Sequence, residues 1–188
     1  MKMKKTYEID IAGLKRNLKL CPVTEDLYIG AFVMFGDVEI TQKCASELLK
    51  LAPEYDIMIT AESKGIPLLY EMARQTNAKN YILARKGPKL YMDDIVTISV
   101  NSITTEKKQT LCIDGEDAAA MKGKRVLVVD DVISTGESLK ALCSLVEHVG
   151  GEVVGKMAVL AEGDAIERDD IIYLAPLPLF NPDGTIKE

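Results

Sequence analysis

Short apolar runs alternate along this chain with stretches whose apolar positions recur every three or four residues, beginning near Ile40. Ile40, Cys44, Leu48 and Leu51 fall in helical register after Gly36-Asp37, and Pro53 closes that stretch. Ile57–Thr60 reads as a buried strand, and the turn Glu62-Ser63-Lys64-Gly65 leads into a helix with Pro67 in its first turn. Tyr81–Ala84 is the next strand. The runs Ile95–Val100 and Gln109–Ile113 flank the polar stretch Asn101–Lys108, which predicts an antiparallel hairpin with a long, mobile tip. Val126–Val129 is uninterrupted apolar sequence, as in a strand covered on both faces. Leu139, Leu142, Val146 and Val149 then share one helix face, ended by Gly150-Gly151, and Val153–Leu160 and Ile171–Leu174 add two more strands.

Strands alternating with helices predict an α/β fold, a doubly wound parallel sheet. The opening of the chain does not share the alternation, so residues 1–36 are expected to form an appended hood and residues 37–188 the sheet-bearing core. The segment Ala175–Pro182 is too proline-rich for a central element.

With 188 residues, 47% of them hydrophobic, the chain is long enough to bury its own core. A formal charge of −6 argues against a general nucleic-acid or anionic-membrane binder. The basic start, Met1-Lys2-Met3-Lys4-Lys5, lacks the apolar run of a secretion signal, and no stretch approaches the ~20 apolar residues that cross a bilayer. The expected location is cytoplasmic. Cys21, Cys44, Cys112 and Cys143 are scattered without metal spacing, so they read as reduced thiols, and no metal-ligating cluster is expected.

The chemistry concentrates in Val126-Leu127-Val128-Val129-Asp130-Asp131-Val132-Ile133-Ser134-Thr135-Gly136-Glu137-Ser138. Ligands of doubly wound sheets gather at the C-terminal ends of strands, where Asp130 and Asp131 are expected. Ser134–Ser138 supplies a glycine and three hydroxyls at a helix N-terminus, which suits a phosphate monoester. Two acids nearby suit sugar hydroxyls, directly or through a metal. The pattern therefore asks for a ribose 5-phosphate. Neither a G-x-x-x-x-G-K-[ST] loop nor a G-x-G-x-x-G turn is present, so the nucleoside-triphosphate and dinucleotide alternatives lack their fingerprints.

This segment closely resembles the motif by which type I phosphoribosyltransferases bind phosphoribosyl pyrophosphate (PRPP): apolar run, two acids, two variable residues, Thr-Gly and a small hydroxylated residue two places on. The resemblance covers roughly Ile40 to Leu160 and implies that Asp130 and Asp131 hold the ribose hydroxyls while Ser134, Thr135, Gly136, Glu137 and Ser138 hold the 5-phosphate. Glu62-Ser63-Lys64-Gly65 resembles the family's pyrophosphate loop, in which a strained peptide turns backbone amides toward the leaving group, with Lys64 where arginine is more usual. Arg85, Lys86 and Lys89 look like the basic turn that follows the next strand in adenine and xanthine phosphoribosyltransferases. Mg²⁺, bound mainly through PRPP and pyrophosphate oxygens, and a homodimer are implied by resemblance alone.

The hairpin tip departs from the adenine pattern, which carries Glu-Tyr-Gly. Here Glu106 is the nearest acid and its expected role is general acid/base work at the purine. The tip is more similar to that of xanthine phosphoribosyltransferases, the phosphate loop to that of the adenine enzymes. The hood, with Leu27, Tyr28, Phe32 and Phe35, is expected either to sandwich the base or to fill its own core. The reaction implied is transfer of the phosphoribosyl group to adenine, giving AMP and pyrophosphate in purine salvage. Xanthine or another 6-oxopurine is the alternative, and a PRPP-sensing regulator a more distant one.

Overall fold

The computed structural model describes residues 5–101 and 108–187. Its centre is a five-stranded sheet built from β4 (Ile57–Ala61), β5 (Ile82–Ala84), β8 (Arg125–Ile133), β9 (Glu152–Glu162) and β10 (Ile172–Leu177). The strands lie in the order β10-β9-β8-β4-β5 and every pairing is parallel. Counted along the chain that is order 2-1-3-4-5, with the crevice of the topological switch between β4 and β8.

Strand residues alternate between two apolar clusters because successive side chains point to opposite faces. Leu127 and Val129 join α1 (Val38–Leu51) and α2 (Ile66–Gln75) on one side. Val126 and Val128 meet Leu139, Leu142 and Val146 of α4 (Glu137–His148) on the other. Both faces are thus covered, as a continuous apolar strand requires. Leu51 lies at the end of α1 half exposed, outside the stripe that the sequence register assigned it.

The hairpin forms as β6 (Val96–Asn101) and β7 (Lys108–Ile113), antiparallel from Val96↔Ile113 to Asn101↔Lys108. Leu111 and Ile113 are buried in the cluster that holds α4. The hairpin tip and Glu106 lie outside the described residues. A short helix, α3 (Gly115–Met121), was not expected from the sequence. Only its last residue, Met121, is buried, so it carries no apolar stripe to read.

Before the parallel sheet, β1 (Thr6–Ile11), β2 (Leu14–Pro22) and β3 (Tyr28–Ala31) make a three-stranded antiparallel sheet. Ala12 and Gly13, both at positive φ, turn β1 into β2. Ile9, Ile11 and Leu18 bury into the same cluster as α1 and α2. Arg16 of β2 forks onto Asp37 at 2.7 and 3.1 Å, and Asp37 caps α1 through Ile40 N–H. The C-terminal segment returns to this sheet: Tyr28 and Phe180 exchange backbone hydrogen bonds at 2.9 Å, and the fully buried Phe180 ring sits 4.9 Å from that of Tyr7. Pro176 falls inside β10, an edge strand, where a missing N–H is tolerated.

Candidate active site

Because the sheet is parallel, the loops after β4, β5, β8 and β9 share one edge, and the described candidate residues other than the acid pair lie on the loops after β4, β5 and β8 or in the first turn of α4. The acid pair is the exception to its expected position. Asp130 and Asp131 were expected at the end of β8, but the strand continues through them to Ile133, because β9 keeps pairing at Asp130↔Ala158 and Val132↔Leu160. Pairing with β4 has already ceased at Val128, so the pair faces the switch crevice.

The two carboxyls are close enough to perturb each other, and Asp131 N–H donates to Asp130 Oδ1 at 2.9 Å. Burial, with the neighbouring carboxyl, raises Asp130 well above the usual carboxylate range; burial raises Asp131 also. The charge of Lys64 opposes this and favours ionisation of both. Asp131 Oδ2 is buried without a hydrogen-bond partner among the described residues. A buried, unmatched carboxylate oxygen is costly unless a ligand satisfies it.

Ser134–Ser138 bends from β8 into α4 around Gly136, whose φ of +76° places it in the left-handed region. Gly136 is also the N-cap of α4 and supplies no side-chain cap. The loop, together with Asp130, lines a cavity of about 90 Å³, which suits a phosphate at the positive end of the helix. Ser134 Oγ accepts from Thr135 N–H at 2.6 Å, fixing the turn. A Cβ on residue 136 would sit 2.5 Å from Arg168 Nη1, and Arg168 is pinned by two 2.8 Å bonds to Asp170. Gly136→Ala should therefore cost about 1–2 kcal/mol of stability from the backbone alone. PRPP affinity should fall with it; calorimetric titration beside a thermal melt checks both.

The loop after β4 meets the pair directly. A Cβ at Gly65 would overlap Thr60 Oγ1 and lie 3.3 Å from Asp130 Oδ1, so only glycine lets this turn lie against the acids. The Glu62–Ser63 peptide is cis. Ser63 and Lys64 are exposed at the crevice.

Glu62 turns away from the acids and joins two loops. Its carboxylate accepts from Arg85 at 2.6 Å and from Lys86 N–H at 2.9 Å, which hold it below the usual range. Arg85 also bonds Tyr91 Oη and lies over the Tyr91 ring. Lys86 and Lys89 stay exposed on this turn.

A second cavity, of about 360 Å³, opens beside the first and shares Ser134 and Thr135 with it. Its apolar walls are Val23 and Leu27 from the β2–β3 connection, Ile29 of β3 and Leu179 from the C-terminal segment. Of the four hood side chains singled out in the sequence, Leu27 alone lines it. Phe32 is buried in the core, Tyr28 packs against it, and Phe35 is half exposed. The sequence reading missed Glu162, which ends β9 at the cavity floor. Burial raises its pKa, against the opposing charge of Lys64 and the nearby Ser134 hydroxyl. No motif marks it; the available signal is an acid at the C-terminal end of a parallel strand.

Among the described residues no group of three or more His, Cys, Asp or Glu side chains could hold a metal ion, and no helix is long and apolar enough to cross a membrane. The donor set fits a cation that takes one or two protein carboxylate oxygens and keeps the rest of its shell from substrate and water.

Comparison with known proteins agrees with this geometry. The model of the phosphoribosyl transferase domain matches residues 39–175. An adenine phosphoribosyltransferase from Flavobacterium johnsoniae is 36% identical over 123 residues, 64% of this chain and 69% of that protein. A hypoxanthine/guanine phosphoribosyltransferase from Methanothermococcus okinawensis is 28% identical over 163 residues, 82% of this chain and 85% of that one. The crystal structure of adenine phosphoribosyltransferase from Thermoanaerobacter pseudethanolicus superposes with a TM-score of 0.64 at 21% identity, covering 92% and 95% of the two chains. The matched domain spans most of the chain, and the chain belongs to the phosphoribosyltransferase family, enzymes that transfer a pentosyl group.

Proposed function

We propose that the protein is a magnesium-dependent purine phosphoribosyltransferase that joins adenine to PRPP, forming AMP and pyrophosphate. The observation that carries this reading is the shared loop: Ser134 and Thr135 line both the phosphate cavity and the apolar cavity beneath the first sheet. One ligand pair, a ribose 5-phosphate and a flat apolar base, fills both at once. The adenine choice draws on the Flavobacterium relative and on the fold of the Thermoanaerobacter enzyme.

The residues divide the work by position. Backbone amides at the start of α4, with the hydroxyls of Ser134, Thr135 and Ser138, take the 5-phosphate. Asp130 and Asp131, once ionised, accept from the ribose hydroxyls and place negative charge beside the sugar as positive charge develops on it. Lys64 faces the acids across the crevice and is in reach of a departing pyrophosphate. The Glu62–Arg85 pair holds the two neighbouring loops together so that Lys86 and Lys89 stand over the same side. Asp131, whose Oδ2 is unmatched, would help substrate oxygens hold magnesium, which would supply positive charge against the leaving group.

Purified protein given PRPP, Mg²⁺ and each of adenine, guanine, hypoxanthine and xanthine should form AMP and pyrophosphate with adenine. Turnover with an oxopurine alone would keep the reaction and overturn the base. No nucleotide from any base would overturn the enzyme.

A further inference from the structure

Glu162 is the last residue of β9, half buried, while Asp164 in the same cavity is exposed. Its carboxylate lies beside Ser134, whose hydroxyl favours the charged form and whose oxygen accepts from Thr135 N–H. The side chain therefore stands where the apolar cavity meets the Ser134–Ser138 loop. An ionised carboxylate is an acceptor only, with room for several donors. Apart from Ser134 and Thr135 on the loop side and the exposed Asp164, the side chains lining this cavity are aliphatic, so Glu162 is the half-buried carboxylate that a base would meet there.

We propose that Glu162 selects the base, its carboxylate accepting a hydrogen bond from the exocyclic amino group of adenine and opposing the carbonyl oxygen of a 6-oxopurine. Two acceptors facing each other in a partly dry cavity leave both unsatisfied. A site built to bond a particular hydrogen-bonding group discriminates strongly against an analogue lacking it. Ser134, which lines both cavities, places Glu162 on the side of the base cavity next to the sugar site. This inference rests on the reading of the protein as a purine phosphoribosyltransferase.

Glu162→Gln keeps the shape and replaces one acceptor oxygen by a donor. The measurement is kcat/KM for adenine and for hypoxanthine in both proteins, with KM for PRPP and a thermal melt alongside. The preference for adenine should fall about tenfold or more, while KM for PRPP stays within about twofold. A structural role alone would lower both bases equally and move KM for PRPP. An unchanged preference, in a variant that still makes AMP and melts like the wild type, overturns the role of Glu162 and leaves the purine enzyme standing. Should the variant fold poorly, the wild type decides: a higher kcat/KM for hypoxanthine than for adenine overturns the inference. A wild type that neither turns over nor binds any purine sinks both readings together.

Discussion

Replacing Asp130 and Asp131 together by asparagine should cut kcat/KM by about 10²–10⁴-fold and, at the same time, make the unliganded protein more resistant to heat above neutral pH. The loss follows from removing two charge-assisted contacts to the ribose, each worth ~1.5–3 kcal/mol. The gain follows from the crowding of the pair. In the unfolded chain both carboxyls titrate near about 3.9; in the fold burial raises each, with Asp131 adding to the rise of Asp130. The folded state holds their protons more tightly, so the stabilisation this gives is complete below the unfolded value and is lost as pH rises through the folded values. At pH 8 the wild type bears adjacent buried carboxyls whose ionisation is costly, and the variant does not. The difference should amount to ~2 kcal/mol, or roughly 4–8 °C in Tm for a chain of this size. Melts at pH 5 and pH 8 check the sign: the advantage of the variant must be larger at pH 8. An equal or reversed advantage would mean that the fold does not strain these charges, whatever the activity shows.

Gly65→Ala carries the second large effect, through space alone. Gly65 has ordinary φ, so the backbone tolerates alanine, but the new methyl overlaps Thr60 Oγ1 and crowds Asp130. Both neighbours are fixed in strands, and overpacking of that kind costs about 1–3 kcal/mol. Turnover should fall further than stability, because the turn that yields carries Lys64 and the acids it displaces bind the sugar. Thr60 Oγ1 is itself buried without a partner among the described residues, so Thr60→Ala loses no hydrogen bond there and makes room. The double variant Gly65→Ala/Thr60→Ala should recover most of the lost Tm, a coupling that a double-mutant cycle measures directly. Additive losses would show that the clash lies elsewhere.

Much of this was legible in the sequence, and the reasons differ by element. β8 could be read because a strand buried on both faces must be apolar without interruption, and its acids, glycine and hydroxyls sit in one continuous segment. The strand was nonetheless read too short. Asp130 and Asp131 look like its end, yet β9 pairs beyond them, and nothing local in the sequence reports how far a neighbouring strand extends. β1 and β2 were not read as strands, although Ile9 and Ile11 alternate with Glu8 and Asp10 on either side of the Ala12-Gly13 turn. Those strands expose one face, so their signal is weaker than that of the central sheet. The loop after β4 could be recognised by its residues, but the pairing of Glu62 with Arg85 joins positions 23 apart and appears only in three dimensions. Glu162 lies outside every motif. Its place at the cavity floor follows from β9 running parallel beside β8, and from a C-terminal segment that brings Leu179 back over it.

The central claim is that Asp130, Asp131 and the Ser134–Ser138 loop form the PRPP site, and titration of PRPP with Mg²⁺ into the protein by calorimetry tests it most directly. Binding should occur once per chain, tighten as pH rises through the raised range of the acid pair, and release protons, so that the observed heat varies with the ionisation enthalpy of the buffer. The Asp130→Asn/Asp131→Asn variant should lose most of that affinity. Wild-type protein that binds no PRPP, or a variant that binds it as tightly with the same proton release, would contradict the account.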